Sequence, residues 1–206
     1  MKCQKEPIDK LRYERAVQEK GYTFIAGVDE VGRGPLAGPV VCAAVIMPLG
    51  EEDIIVGVDD SKKLSEKKRV MLAEKIKEKA LYYTIVEVDE KRIDEINILE
   101  ATKEGMRKAL LGLGQAPDFV LTDGNMTLDI PFKQMSIVSG DALSYSIGAA
   151  SILAKVYRDN LMDEYAKTYP MYAFEKNKGY GTAVHIAAIK EYGLCPIHRR
   201  TFTKKF

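Results

Sequence analysis

Residues 22–47 read YTFIAGVDEVGRGPLAGPVVCAAVIM, from Tyr22 to Met47, and the division of this stretch decides the fold. Its ends, Tyr22–Val28 (YTFIAGV) and Val40–Met47 (VVCAAVIM), are β-rich apolar runs on either side of the turn-rich GRGPLAGP. Such runs, separated by Gly and Pro, predict two neighbouring strands joined by a tight connection. The second run is apolar at every position, as a strand covered on both faces is. The glycines also fit G-x-G-x-x-A after a strand, with Glu51 to Asp53 about twenty residues further on, the pattern of dinucleotide-binding folds. That pattern requires a helix at its third position; here Pro39 and the β-branched pair Val40-Val41 follow, so it is rejected. What the glycines do permit is close approach of backbone N–H and C=O groups to a ligand, with Arg33 able to reach a phosphate. An ordinary loop is the alternative.

Outward from this stretch, helices and strands follow one another without repeats, low-complexity tracts or Gly/Ser linkers. Ser65 predicts the cap of a helix over 66–79, with Val70, Ala73, Ile76 and Ala80 on the inner face. Tyr82–Val88 reads as a strand. Asn97 and Glu100, at capping-box spacing, open a helix through Leu110 with Leu99, Thr102, Met106 and Ala109 or Leu110 inward, ended by Gly112 or Gly114. Asp118–Leu121 is a short strand running into the turn Thr122-Asp123-Gly124-Asn125, and Ser136–Val138 is another before Gly140-Asp141. The most regular helix carries Leu143, Ile147, Ala150, Ala154, Tyr157 and Leu161 at intervals of four and three and stops near Tyr169-Pro170. A last helix over 183–192 starts at Thr182 and ends at Gly193. The order predicts an α/β domain with a mixed sheet.

The chain has 206 residues, 46% hydrophobic and 30% charged, enough to bury a core, and one domain over 1–206 is expected. Lys+Arg number 31 against 30 Asp+Glu, a net charge of +1, which argues against a polycation that coats nucleic acid or membranes. The balance conceals opposites. Residues 21–60 hold seven acids and one base, whereas 165–206 hold eight bases and two acids; ordinary surface charge is one reading, and a cation site beside an anion site is the other. No run approaches the ~18 apolar residues of a membrane span, and the charged start MKCQKEPIDK has no apolar stretch of a signal peptide. A cytoplasmic protein is expected, with Cys3, Cys42 and Cys195 as reduced thiols, because they are scattered and form no CxxC or Cys/His cluster.

The acids fall at telling places. Asp29 and Glu30 end the first strand, Asp123 ends a later one, and Asp141 begins the long central helix. Strand ends and the adjoining helix start meet on one edge of an α/β sheet, where ligand sites form. Carboxylates gathered there repel one another and resist ionising unless a divalent cation neutralises them, and a Mg²⁺ or Mn²⁺ pair is the natural counter-charge. Taken singly, Asp123-Gly124 and Gly140-Asp141 are also ordinary turn and cap sequences. Asp29-Glu30 is harder to set aside, since the one nearby base is Arg33.

The run Ala26-Gly27-Val28-Asp29-Glu30-Val31-Gly32-Arg33-Gly34-Pro35-Leu36-Ala37-Gly38-Pro39-Val40 resembles the signature of ribonuclease HII, the type 2 ribonuclease H. Further blocks are similar in the same order: Asp60-Ser61-Lys62-Lys63-Leu64-Ser65, Thr122-Asp123-Gly124, Gly140-Asp141 leading to Gly148 through Asp159, and Lys178-Gly179-Tyr180-Gly181-Thr182 with Pro196-Ile197-His198-Arg199-Arg200. The resemblance spans about residues 20–202. It departs at Val31, where the family usually has alanine, and in the end at Phe206, where many relatives continue into a helical extension.

This resemblance implies an α/β ribonuclease H-like fold, a mixed central β-sheet flanked by helices with a short C-terminal helical part. It implies that Asp29, Glu30, Asp123 and Asp141 are the catalytic carboxylates and hold two divalent cations, Mg²⁺ or Mn²⁺. The implied reaction is endonucleolytic hydrolysis of the RNA strand of RNA/DNA hybrids, and incision on the 5′ side of single ribonucleotides in duplex DNA. The products are a 5′-phosphate and a 3′-hydroxyl. By the same resemblance the backbone of Gly32-Arg33-Gly34 contacts the ribose 2′-hydroxyl, Tyr180 stacks on the sugar of the following nucleotide, and Lys62, Lys155 and Arg158 occupy basic positions. Lys155 and Arg158 have an alternative use in pairing with Asp159 or Asp163. His185 and His198 read as structural or phosphate-facing. A monomer with no membrane partner is expected, and the basic excess after Tyr165 becomes a candidate wall for the nucleic-acid backbone. Ribonuclease HIII is the enzyme alternative, disfavoured by the short stretch before the first strand. A non-catalytic hybrid-binding protein would need a broken carboxylate set, and this one is whole.

Overall fold

The structure, a computed structural model, describes residues 9–206; Cys3 lies outside them. The two apolar runs around the glycine-rich turn form β1 (Ile25–Val31) and β2 (Val40–Ile46), paired antiparallel with Asp29 opposite Ala43 and Glu30 opposite Cys42. On its other side β1 pairs in parallel with β4 (Phe119–Asp123), β4 with β5 (Lys133–Ile137), and β3 (Tyr82–Val88) closes the far edge against β2. The mixed five-stranded order is β3-β2-β1-β4-β5, which puts both acid-bearing strands, β1 and β4, side by side. β1 lies three residues beyond the predicted Tyr22–Val28, because pairing with β2 carries the strand through both acids to Val31.

Side chains alternate across the sheet and bury each face against helices. Val41, Ala43 and Val45 pack on α2 (Glu66–Lys79) and α5 (Tyr145–Thr168), while Ala26, Val28, Cys42, Ala44 and Ile46 pack on α3 (Glu90–Leu111). Ser65 caps α2 as predicted, accepting from the Lys68 N–H, but Val70 points outward and Leu72 takes the inner position beside Ala73 and Ile76. Asn97 does cap a helical segment, its Oδ1 accepting from the Leu99 and Glu100 N–H groups at 2.9 and 3.2 Å. It stands at φ 67° inside a longer element, because a further turn, capped by Asp89, precedes it. Leu99 is exposed, whereas Thr102, Met106, Ala109 and Leu110 are buried.

The long central helix is also divided. Gly140–Leu143 forms a separate short helix, α4, and α5 begins afresh at Ser144, whose hydroxyl caps Ile147 at 3.2 Å, so Asp141 sits before the long helix. The inward stripe of α5 continues as Ala150, Ala154, Arg158, Met162 and Ala166; Tyr157, placed inward by sequence, is exposed. Ahead of the sheet lies α1 (Arg12–Gln18), whose buried Glu14 accepts from the Ser144 hydroxyl (2.6 Å) and the Ser146 N–H (2.9 Å) at the start of α5. A carboxylate there answers the partial positive charge of a helix N-terminus. The C-terminal part comprises α6 (Phe174–Asn177), α7 (Ala183–Tyr192), capped by Thr182 as predicted, and α8 (Arg200–Thr203). Cys42 is buried and Cys195 partly so, both as free thiols. Among the described residues no helix is long and apolar enough to cross a membrane.

Gly27 fixes the distance between β1 and α5, because a Cβ there would overlap the Ser146 backbone. Gly27→Ala is expected to lower stability by about 1–3 kcal/mol, read as a fall in Tm of several degrees; an unchanged Tm would contradict this close approach.

Candidate active site

Three elements deliver the four acids. Asp29 and Glu30 lie near the end of β1, Asp123 is the last residue of β4 in parallel register beside it, and Asp141 lies in α4 after β5. The join between β4 and α4 is specific: Asp123 Oδ1 accepts from the Gly140 N–H at 2.6 Å and the Asp141 N–H at 3.4 Å. Asp29 is 4% exposed and Asp141 8%, so these are carboxylates largely removed from water. Asp29 Oδ1 accepts from the Glu30 N–H at 2.7 Å.

Burial pushes the Asp29 carboxyl well above the usual range, and the charges of Glu30 and Asp123 push it further, while the Ser151 hydroxyl opposes them. Burial raises Glu30 to about 7 against the pull of Arg33, whose guanidinium lies 3.5 Å away. Asp141 is raised by burial, then by Asp123 and Asp60. Lys62 faces the same group: burial depresses its ammonium, but Asp141, Asp29, Asp60 and Asp123 together outweigh that and raise it. The structure therefore gathers all four acids, with Lys62 and Arg33 as partial counter-charge.

Among the described residues no three acid, imidazole or thiol groups already converge as a closed ligand set. The fit to divalent cations lies instead in the donors: hard carboxylate oxygens whose charges penalise one another are what Mg²⁺ or Mn²⁺ binds, and like charges relax apart without such a partner.

Gly32, Arg33 and Gly34 leave β1 toward the same edge. Two buried arginines hold this loop from behind. Arg199 donates to the carbonyls of Gly32 (2.6 Å), Arg33 (2.9 Å) and Gly38 (2.9 Å), and Arg158 to those of Pro39 (3.0 Å), Ala37 (3.1 Å) and Lys178 (2.9 Å). Both are fully buried, and burial lowers Arg158 to about 10 and, with the charge of Arg158, Arg199 to about 9. Arg158 is thus a loop clamp and pairs with neither Asp159 nor Asp163, while Lys155 does pair with Asp159 at 2.6 Å. Lys178 bonds Asp163, so with Arg199 buried the basic excess is only partly free to form a wall. With the Gly32 and Arg33 carbonyls of the same peptides turned inward, the Arg33 and Gly34 N–H groups have no acceptor among the described residues. Tyr180 stands over this face, 42% exposed, its ring 3.7 Å from where a Gly34 Cβ would lie. Positive φ at Lys178 (49°) and Gly179 (85°) turns the chain there.

Sequence reasoning missed the supports. Arg69 donates to the Ser61 and Leu64 carbonyls at 2.6 and 2.8 Å, and the Ser61 and Ser151 hydroxyls meet at 3.0 Å, fastening the loop that carries Lys62 to α5 beside Asp29. Asp60 adds a further charge beside Asp141. For Arg158 a signal existed: it continues the buried Ala150-Ala154 spacing by four. Arg199 had none beyond its block, since its partners are backbone atoms from distant loops.

A mixed sheet that brings acids from two adjacent strands and a following helical turn to one edge, with amides and cations beside them, defines a hydrolase of the ribonuclease H class. The ribonuclease HII family profile matches residues 26–205. Ribonuclease HII of Ruminiclostridium cellulolyticum is 56% identical over 196 residues, covering 95% of this chain and 76% of that one. That of Bacillus subtilis is 54% identical over 195 residues, with 95% and 75% coverage. The crystal structure of ribonuclease H2 from Pyrococcus horikoshii superposes with a TM-score of 0.74 at 29% identity, over 89% of this chain and 96% of that one. A solved Bst-RNase HIII in complex with Mn²⁺ shares the fold at TM-score 0.74 and 20% identity, over 92% of this chain and 71% of that one. The chain belongs to the ribonuclease HII family, endonucleases that cleave RNA in RNA/DNA hybrids.

The acid cluster has a thermodynamic consequence. A carboxyl raised in the folded state, as Glu30 is from 4.5 to about 7, keeps a proton that the unfolded chain has released, so stability falls as pH rises through that window. In EDTA, Asp29→Asn is expected to raise Tm over the unsubstituted protein by more at pH 8 than at pH 5; an equal gain at both would contradict the mutual perturbation. Arg199→Lys, which keeps the charge and loses the fork, is expected to destabilise by at least about 2 kcal/mol, checked by denaturant unfolding.

Proposed function

We propose that Asp29, Glu30, Asp123 and Asp141 together hold two divalent cations, Mg²⁺ or Mn²⁺. We propose further that the enzyme incises on the 5′ side of ribonucleotides embedded in duplex DNA, as well as cutting the RNA strand of hybrids. The observation that carries this reading is the buried Asp29, with Glu30 and Asp123 at its side and no salt-bridge partner among the described residues. When bound, the cations supply Lewis acidity for water activation and neutralise charge gathering on the departing 3′ oxygen. Hydrolysis on that side leaves a 3′-hydroxyl and a 5′-phosphate.

The chain's own residues select and orient the substrate. The Arg33 and Gly34 N–H groups, aimed outward by Arg199, suit the ribose 2′-hydroxyl and an adjoining phosphate oxygen. The 2′-hydroxyl alone distinguishes a ribonucleotide from its deoxy counterpart at a given position. Preorganised donors of this kind lose nothing to reorganisation during reaction. Lys62 offers its ammonium to the phosphate while offsetting the acids. The half-exposed Tyr180 ring, above Gly34, suits stacking on the sugar that follows the ribonucleotide.

A DNA duplex holding one ribonucleotide tests this. With Mg²⁺ or Mn²⁺ the protein is expected to incise 5′ to the ribonucleotide and with EDTA not at all; Asp29→Asn is expected to slow incision by at least ~100-fold. No incision by the unsubstituted protein, or full activity in Asp29→Asn, would sink the reading. Tyr180→Ala is expected to reduce the rate at a single ribonucleotide more than it weakens duplex binding, and an unchanged rate would refute junction sensing.

A further inference from the structure

The chemistry above makes no use of His185 and His198, which are buried against each other with their Nε2 atoms 3.0 Å apart. At that distance one ring donates and the other accepts. The direction is set at the far end of His198: the Cys195 backbone N–H donates to its Nδ1 at 2.9 Å, so that nitrogen carries no proton and Nε2 does. The Cys195 carbonyl, 3.3 Å from Nδ1, takes the His198 backbone N–H at 3.0 Å instead. His198 Nε2–H therefore donates to His185 Nε2, leaving the proton of His185 on Nδ1, which lies 2.9 Å from the carbonyl oxygen of Tyr180.

Both rings are kept neutral. Burial and the neighbouring ring hold His198 down at about 4, and burial lowers His185. A second proton on either ring would also set two N–H groups head to head. The pair is packed by Tyr172, 4.9 Å from His198 between ring centroids, and Phe174, 5.3 Å from His185. Mere packing would be served by two apolar rings; what the imidazoles add is a directed bond to one backbone atom of the Tyr180 loop. Among the described residues that carbonyl otherwise has the Thr182 N–H alone, at 2.8 Å.

We infer that His185 and His198 are positioning residues for ribose recognition: a relay of fixed tautomers runs from the Cys195 amide through both imidazoles to the Tyr180 carbonyl and holds the Tyr180 ring over Gly34. The inference rests on the reading of Tyr180 as the junction-sensing residue. Tautomer assignment depends on the whole network of partners; the Cys195 thiol, 3.1 Å from the same Nδ1, is in this tautomer a second donor to it.

Long-range ¹H–¹⁵N correlation on the metal-free protein reads the tautomers directly. The expected result is Nδ1–H for His185 and Nε2–H for His198; the reverse pair, or a charged ring at neutral pH, would overturn the relay. In kinetics, His185→Phe, which keeps a ring and removes the donor, is expected to slow single-ribonucleotide incision at saturating duplex roughly tenfold, the scale of one buried hydrogen bond. Its duplex Kd in EDTA is expected to stay within about twofold of the unsubstituted value. His185→Asn, whose side-chain N–H stands near the place of Nδ1, is expected to recover most of the rate. In the Tyr180→Ala background His185→Phe is expected to add no loss, since the two act through one ring. A further loss there, or no recovery in a folded His185→Asn, would overturn the positioning role. Expected tautomers with an unchanged Tyr180→Ala rate would instead locate the failure in the junction reading. Should His185→Phe not fold, the tautomers and His185→Asn decide.

Discussion

Asp29 is a carboxylate that the fold buries beside two others, and the site is organised around that electrostatic debt. β1 runs between an antiparallel neighbour and a parallel one, so Asp29 and Glu30 share an edge with Asp123 at the end of β4. Gly27, two residues earlier on the same face, lets α5 approach until Ser151 and the acids share one dry corner. The Asp123 carboxylate then pins the turn that carries Asp141. Lys62 and Arg33 offset part of the accumulated charge, and the proposed cation pair would offset the rest.

Beside this negative corner the chain builds its opposite by other means. Arg158 and Arg199 are buried with no carboxylate bonded to either among the described residues, and six backbone carbonyls take their donors. Burying two guanidinium groups is tolerated only with such complete hydrogen bonding. The arrangement turns the Gly32 and Arg33 carbonyls inward and the N–H ends of those peptides outward, so the contacts that hold the loop also leave its donors facing out. The His185–His198 pair extends this logic to the Tyr180 side, where neutral rings direct a single bond.

Much of this was legible from residues alone. The paired apolar runs around GRGPLAGP, the Ser65 and Thr182 caps and the acids at strand ends are local signals, and the structure places them as read. What escaped depends on atoms far apart in the chain. The strand carrying Asp29 extends beyond its apolar run because β2 supplies the ladder, Asn97 caps a segment inside a longer helix because Asp89 opens an earlier turn, and Ser144 restarts the helix that Asp141 was expected to begin. Sequence offers Arg158 a basic position by resemblance, or pairing with Asp159 or Asp163; its partners are instead carbonyls of Ala37, Pro39 and Lys178, which lie far from it in the chain. The near-zero net charge likewise hid its meaning, since part of the acidic excess, Asp29 and Glu30, lies at the site while the Arg199 charge is held inside the protein.

The most direct test is to count the ions. Mn²⁺ titrated into the protein bound to an uncleavable single-ribonucleotide duplex, followed by electron paramagnetic resonance of the free ion, should show two bound ions per chain, falling to one or none in Asp29→Asn. One ion or none in the unsubstituted protein, or two in Asp29→Asn with unchanged affinity, would contradict a site in which the buried Asp29 and its neighbours jointly hold a cation pair.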